Sequence, residues 1–210
     1  MDAQILNRQV VLKAANDLTD VVRFLAMRGW APATSSNFSV RLPVVDRIAI
    51  SKSGVDKYAF STHDVMVINR QGQPVAPKNA KPSAETLLHT VLYEHAEIGA
   101  VLHTHSVNAT VLSMTAQDRI EIEGFELLKG LSGNQTHDLL ETVPVFANTQ
   151  DMVALSSLVR ARMKHGPAMH GFLIASHGLY TWGRDLAEAR RHVETFEFLF
   201  ECLLKMRERT

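Results

Sequence analysis

The segment Ala100-Val101-Leu102-His103-Thr104-His105-Ser106 carries two histidines one residue apart at the end of an apolar run. The run favours a β-strand, and alternate residues of a strand point to the same face. His103 and His105 would therefore project side by side, as metal ligands often do. The pair alone is weak evidence, because a chain of 210 residues with ten histidines contains such a pair by chance in roughly every second case.

A third histidine strengthens the prediction of a metal site. His177 directly follows the apolar segment 172–176, which we interpret as another strand. A turn at Ser106 to Asn108 follows the first pair, so all three imidazoles would lie at strand ends and could close on one ion. Taken singly, a histidine is more often a surface or hydrogen-bonded residue. We assign that structural role to six others: His63, His95, His137, His165, His170 and His192.

The composition indicates one domain over residues 1–210, with 46% hydrophobic residues to form a core. Lys plus Arg equal Asp plus Glu at 22 each, which argues against nucleic acid or an anionic membrane as a partner. The chain shows no secretion signal and no apolar run near the ~20 residues of a membrane span, so we expect a cytoplasmic protein. The lone cysteine, Cys202, is interpreted as a buried structural thiol.

Hydrophobic spacing and turn residues predict helices around short strands. Helices are predicted over about 3–28, 86–95, 107–114, 151–163 and from 185 onward, and strands over 38–42, 47–51, 65–69, 120–122, 143–146, 172–176 and around His103. Segment 125–131 is too short to classify. The last helix begins with the capping pair Asp185 and Glu188, and Phe198 and Leu199 widen its apolar surface, which is typical of burial by a partner subunit. The pattern predicts an α/β fold with a central, mainly antiparallel sheet flanked by helices.

Four motifs, in an order that covers nearly the whole chain, resemble the class II aldolase and adducin family. They are Ser35-Ser36-Asn37-Phe38-Ser39, Lys81-Pro82-Ser83-Ala84-Glu85-Thr86, His103-Thr104-His105-Ser106 and Ser176-His177-Gly178. The resemblance implies a single-domain class II aldolase-like fold. Longer stretches, 29–37 and 178–183 among them, are most similar to the family's bacterial dehydratases of methionine salvage. They imply a hydro-lyase that acts on a phosphorylated methylthio-ketose.

The resemblance also implies one zinc ion per subunit, bound by His103, His105 and His177. Three neutral imidazoles leave such an ion its full charge and an open position, as a Lewis acid requires. Imidazole accepts other divalent metals too, so the native metal stays open. Family membership further implies a homotetramer with active sites near subunit contacts.

Two glutamates compete for the role of acid and base. Glu126 matches the acid/base glutamate of the dehydratases, and Glu85 matches the catalytic glutamate of the aldolases and could also reach the metal. We favour Glu126 as the residue that moves protons around a metal-stabilised enediolate, with Glu85 as accessory. Without the resemblance, Glu126 would be interpreted as an exposed charge on a short helix.

A substrate phosphate has to be bound without a net basic charge on the chain, so short side chains and backbone N–H groups are expected to hold it. The resemblance assigns this role to five positions: Ser36, Asn37, Ser53, Gly54 and Ser83. Residues of these types are by default turn formers. Three nearby lysines could add charge and are left unassigned: Lys52, Lys57 and Lys129.

Two other functions stay open on the sequence. One is an aldolase or epimerase of another sugar phosphate on the same scaffold. Residues 184–210 contain no tyrosine, whereas the aldolases use a C-terminal tyrosine, and Ser36 and Ala84 replace the usual Gly and Ser of the aldolase motifs. The missing tyrosine argues against aldol cleavage. The other function is a metal-free interaction module like the adducin head, which the three histidines and two glutamates oppose.

Overall fold

The computed structural model describes residues 7–166 and 168–208, so the predicted helix start near residue 3 lies outside the described residues. The helices are α1 (Arg8–Met27), α2 (Thr86–Leu92), α3 (Val107–Thr115), α4 (Met152–His165) and α5 (Leu186–Arg207), with short 3-10 helices at Thr62–Asp64 and Glu126–Gly130. The strands are β1 (Asn37–Arg41), β2 (Ile48–Ser51), β3 (Val65–Ile68), β4 (Pro74–Ala76), β5 (Ala100–Thr104), β6 (Arg119–Ile122), β7 (Glu141–Phe146), β8 (Gly171–Ile174) and β9 (Gly178–Gly183).

Within the described residues the strands form one nine-stranded sheet in the order β4-β3-β2-β1-β5-β9-β8-β7-β6. Each neighbouring pair is antiparallel except β7 and β8, which run parallel. The predicted α/β fold with a mainly antiparallel sheet is therefore confirmed. The histidine-bearing strand β5 lies in the middle of the sheet, between β1 and β9.

Alternation along β5 assigns its side chains to the two faces of the sheet. Leu102 packs in a cluster with Val22 of α1, and Val101 packs on the opposite face with Leu88 of α2. Each such fully buried aliphatic side chain stabilises the fold by about 1.5–3 kcal/mol. His103 follows the same alternation as Val101. It therefore points towards the face that α2 and α4 cover.

Several element boundaries differ from the predicted ones. Strands β4 and β9 were not predicted, and α2 ends at Leu92 rather than His95. Asp185 caps α5 as predicted, but the carboxylate of Glu188 accepts its hydrogen bond from the backbone N–H of Arg184, at 2.8 Å, instead of completing a reciprocal pair.

The apolar surface of α5 divides between the core and the exterior. Leu199 is buried in a cluster with α3, whereas Phe198 is 51% exposed. Burial of Phe198 by a partner subunit stays a prediction. No helix in the described part of the chain has the length and apolar character needed to span a membrane.

Candidate metal centre

The three histidines predicted as ligands converge at one end of β5. The Nε2 atom of His103 lies 2.8 Å from Nε2 of His105 and 3.3 Å from Nε2 of His177. His103 is fully buried, and the other two are partly exposed. The cluster thus has a buried floor and an open side, an arrangement that admits a small ligand.

Strand pairing fixes the orientation of His103. In the sheet register it lies opposite Asn37 of β1 and Tyr180 of β9. Its Nδ1–H donates to the backbone carbonyl of Leu179 at 2.9 Å, and the Tyr180 ring stacks on it with centroids 4.0 Å apart. Because Nδ1 carries the proton, the lone pair of Nε2 faces the other two histidines.

A tight connection between β8 and β9 brings His177 over this strand. Ser176 has a φ of 57°, and Gly178 packs so closely that an added Cβ would lie 2.0 Å from the carbonyl oxygen of Thr104. A side chain at Gly178 would push the connection away from β5. Glycine at this position therefore helps to place His177 beside His103.

Glu85, at the start of α2, closes the fourth side of the cluster. Its Oε1 lies 3.0 Å from Nε2 of His177, and its Oε2 lies 3.7 Å from Nε2 of His103. The Asn37 side-chain amide donates a hydrogen bond to the same carboxylate. Glu85 is thus the predicted glutamate that the structure brings to the histidines.

Behind Asn37 runs a buried hydrogen-bonded chain that the sequence did not reveal. Nε2 of His89 bonds the Asn37 carbonyl oxygen, and Nδ1 of His89 contacts the hydroxyl of Ser39 at 2.7 Å. That hydroxyl contacts Tyr93 OH at 2.8 Å. Such outer groups orient the ligands of a metal site, and here they fix the amide that holds Glu85.

The electrostatics of the cluster suit a cation. Burial would raise the pKa of Glu85, but electrostatic interactions with His103 and His177 and hydrogen bonds from His177 and Asn37 outweigh it and hold this pKa well below its usual range. Burial lowers the pKa of His103 well below its usual value and that of His105 to about 4. At neutral pH these two imidazoles are therefore neutral bases, and Glu85 is a carboxylate.

Four of the five predicted phosphate positions lie on three loops. Ser36 precedes β1, Ser53 and Gly54 follow β2, and Ser83 precedes α2. The side chain of Asn37, the fifth predicted position, starts β1 and is engaged by Glu85 and His89.

Glu126 is not among the residues that one chain brings together. It lies on the 3-10 helix after β6 with a 72% exposed side chain, 2.5 Å from Lys129 and 3.7 Å from Nδ1 of His137. None of its recorded hydrogen bonds or ion pairs within the described residues reaches the histidine cluster. A single chain therefore presents Glu126 on its surface.

Comparison with known proteins decides the family. The sequence profile described as "Class II Aldolase and Adducin N-terminal domain" matches residues 16–204. The chain belongs to the class II aldolase and adducin family. The resemblance seen in the sequence is thereby confirmed, and class II aldolases are metal-dependent enzymes.

Two relatives within the family share about half of their residues with this chain. The methylthioribulose-1-phosphate dehydratase of Marinobacter nauticus is 52% identical over 195 residues, which cover 91% of this chain and 93% of that protein. The enzyme of the same name from Stenotrophomonas maltophilia is 53% identical over 194 residues, covering 90% and 89%. The fold also matches the crystal structure of l-fuculose-1-phosphate aldolase from Thermus thermophilus, with a TM-score of 0.72, 24% identity and coverage of 96% and 97%.

The class II aldolase donor set fits a divalent metal ion on geometric grounds. A tetrahedral ion with metal–nitrogen bonds of ~2.0–2.1 Å sets its nitrogen ligands about 3.3 Å apart. The separation between His103 and His177 is 3.3 Å, and that between His103 and His105 is 2.8 Å. The two imidazoles with a lowered pKa, His103 and His105, thus face His177, which lies 3.0 Å from a carboxylate oxygen of Glu85. The three imidazoles with Glu85 therefore form a candidate metal centre.

Proposed function

We propose that this protein is a metal-dependent hydro-lyase that removes water from 5-methylthioribulose 1-phosphate in methionine salvage. The product is 2,3-diketo-5-methylthiopentyl 1-phosphate. The relatives named for this dehydratase support the proposal, because they are about half identical over nine-tenths of the chain. The structural observation that carries it is the convergence of His103, His105 and His177 beside Glu85.

We propose zinc as the ion, held by the three histidines, since imidazole and carboxylate groups at this spacing suit it. Bound there, the ion supplies a Lewis acid that stabilises negative charge on the substrate oxygens. Glu85 is already ionised, because its pKa is held below the usual range, and it is a poor proton donor. It therefore serves to bind and orient at the metal centre, as an accessory to the proton transfers.

Glu126 is the proposed acid and base. The reaction removes the proton from C3, next to the C2 ketone, and the C4 hydroxyl leaves as water after it gains a proton. The resulting enol then becomes the 3-keto group as C4 is protonated. One carboxylate can take the proton from C3 and then give a proton to the departing C4 hydroxyl, so a single residue can serve as both base and acid.

Glu126 would reach the reaction from a neighbouring subunit. It is exposed, its ion pairs within the described residues are with Lys129 and His137 rather than with the three candidate metal ligands, and the family resemblance implies a homotetramer with active sites near subunit contacts. The tetramer and a cytoplasmic location stay predictions. The proposed phosphate ligands are Ser36, Asn37, Ser53, Gly54 and Ser83.

The test is to incubate metal-replete protein with 5-methylthioribulose 1-phosphate and to follow the diketone product. The wild type should form it, whereas His105→Ala should lose the metal and Glu126→Gln should keep the metal and lose most turnover. Glu123→Gln, an exposed glutamate close to Glu126, is the matched control and should stay active. A wild type that makes an aldehyde and dihydroxyacetone phosphate, or nothing, would exclude the dehydratase.

Mixed oligomers test the contribution between subunits. His105→Ala and Glu126→Gln chains, each inactive alone, are unfolded together and refolded. If the two residues of one site come from different chains, part of the activity returns. If they come from the same chain, every site in the mixture is defective and no activity returns.

A further inference from the structure

Lys57 is a lysine without exposed surface, in the loop that follows β2. Its exposed fraction is 0%. The ammonium donates to the backbone carbonyl of Val55 at 2.7 Å and, more loosely, to that of Thr34 at 3.4 Å. No carboxylate of residues 7–166 or 168–208 forms an ion pair with it, and Asp56 and Asp64 act on it only through their fields. Lys57 thus lies between two loops and is bound by neutral groups alone.

Such a charge is costly to bury. An ammonium taken out of water loses several kcal/mol of hydration unless an opposite charge accompanies it. Burial lowers the pKa of Lys57 to about 8, so the group is still charged at neutral pH. Carbonyl oxygens satisfy its hydrogen bonds, and the fields of Asp56 and Asp64 offset only part of the cost of burial, since the pKa stays lowered. The loops therefore hold a positive charge that an anion would neutralise.

The two carbonyls belong to the loops assigned to the substrate phosphate. Thr34 lies two residues before Ser36, and Val55 directly follows Gly54. Ser36 is buried at a φ of 70°, and its hydroxyl has no hydrogen-bond partner among the described residues. Gly54 has a φ of 72° and open space where a side chain would lie. An unpartnered donor and free space thus occur on the same two loops that Lys57 joins.

Lys57 also lies near the metal centre. Burial is the main cause of the low pKa of His105, and the positive charge of Lys57 acts in the same direction. On the other loop, Asn37 directly follows Ser36 and binds Glu85. A substrate that spans from the metal centre to these loops would place its phosphate within the field of the ammonium.

We infer that Lys57 is a positioning residue for the substrate phosphate. Its ammonium draws the Thr34 and Val55 carbonyls inward, and its charge neutralises the phosphate that the two loops hold. A phosphate monoester carries a charge of about −1.5 to −2 at pH 7. The five assigned phosphate positions are uncharged, and the chain has no net charge to add. The inference rests on the proposed function, because that function assigns phosphate to these loops.

Calorimetric titration of the metal-replete protein with inorganic phosphate tests the inference. Lys57→Met keeps the apolar stem and removes the charge. It should weaken phosphate binding by at least about tenfold and raise KM similarly, since the positive charge near the phosphate and the bonds from the ammonium to the two loops are lost. The metal content should not change, and kcat should fall much less. Lys52→Met is the matched control, because this lysine lies on the same strand-to-loop segment and its ammonium donates to the His63 carbonyl.

Unchanged phosphate affinity in a folded Lys57→Met protein would overturn the inference, even if its melting temperature fell. Should the variant not fold, NMR titration of the Lys57 side chain in the wild type decides the question. Saturating phosphate should move that titration to higher pH, and an unmoved titration would exclude the role. If the wild type binds phosphate through Lys57 but does not dehydrate the methylthio-ketose, the proposed function alone fails.

Discussion

The Nδ1–H of His103 donates to the backbone carbonyl of Leu179, at 2.9 Å, across the pairing of β5 with β9. This bond fixes the tautomer, so Nε2 offers its lone pair to the metal centre. The direction of one candidate ligand is therefore determined by the sheet. Nδ1 is occupied by this hydrogen bond and Nε2 faces the metal centre, so both ring nitrogens of this fully buried residue have a role.

Replacing His103 with asparagine should abolish metal binding. The shorter side chain cannot bond Leu179 and reach the position of Nε2 together, so one ligand and its orientation are lost. We expect less than about one tenth of the wild-type metal content, measured by elemental analysis after gel filtration. His95→Asn, on the surface after α2, is the control and should bind metal as the wild type does.

The buried series of hydrogen bonds from Tyr93 through Ser39 and His89 to Asn37 should strengthen metal binding, although none of these residues is a proposed ligand. His89→Phe fills the space but leaves the Asn37 carbonyl and the Ser39 hydroxyl without their partner. We expect metal affinity to fall by about 10- to 100-fold, and stability by about 1–3 kcal/mol. Competition with a chelating dye and chemical denaturation measure the two effects.

Thr90→Val is the control for His89→Phe. Its hydroxyl donates to the carbonyl of Leu87, within the same helix. If His89→Phe binds metal as tightly as Thr90→Val does, the chain only supports the fold.

The features of this site that depend on residues close together in sequence were predicted. The strand period predicted a shared face for His103 and His105; β5 ends at Thr104, and His105 directly follows it. The family motif gave Glu85. His89 was not predicted as part of the site. Its partners on β1 lie about 50 residues away in sequence, and only the tertiary fold brings α2 next to them. Glu126 was assigned by resemblance alone, and its own contacts in one chain are with surface groups.

Strand β9 shows why the middle of the sheet was only partly predicted. Glycines begin and end this strand, and its side chains are buried along its whole length, so no alternation of polar and apolar residues marks it. Tyr180, which stacks on His103, was therefore not connected to the site. A reading of its β-forming residues, 179–182, would have suggested the strand.

His192 should make the protein less stable in acid. Its Nδ1–H donates to the Trp182 carbonyl at 2.7 Å, and its Nε2 accepts from the Ser132 N–H at 3.0 Å, so the ring has to be neutral. Burial lowers the pKa of His192 to about 4, from 6.5. The unfolded chain takes up the proton first, and stability falls as the pH drops from about 6.5 to 4.

The variant His192→Gln should weaken this dependence. The free energy of unfolding, measured by denaturant titration at several pH values, should lose a component on the order of 1–3 kcal/mol between pH 6.5 and 4. His63→Gln, which is not buried, should keep the wild-type slope. Equal slopes in the wild type and His192→Gln would show that this ring does not control acid stability.

Glu197 of α5 should make the protein less stable as the pH rises, because it is a buried carboxyl group. It is 2% exposed, and its burial outweighs the interactions with Ser106 and Asn108 that favour its charged form. Burial raises the pKa of Glu197 to about 7, from 4.5, so the folded protein binds the proton more tightly than the unfolded chain. The stability that protonated Glu197 contributes is fully present below pH 4.5 and is lost as the pH rises through 7.

Glu197→Gln replaces the carboxyl with an uncharged group of the same shape and removes this loss. At pH 8 the variant should be more stable than the wild type by an amount on the order of 1–3 kcal/mol, and the gain should shrink towards pH 5. Thermal and denaturant unfolding at pH 5 and pH 8 measure the difference. Glu201→Gln, one turn further along α5, removes an exposed carboxylate that pairs with Lys205 and should give no such gain. Equal stability of Glu197→Gln and the wild type at pH 8 would mean that an opposite charge already compensates Glu197.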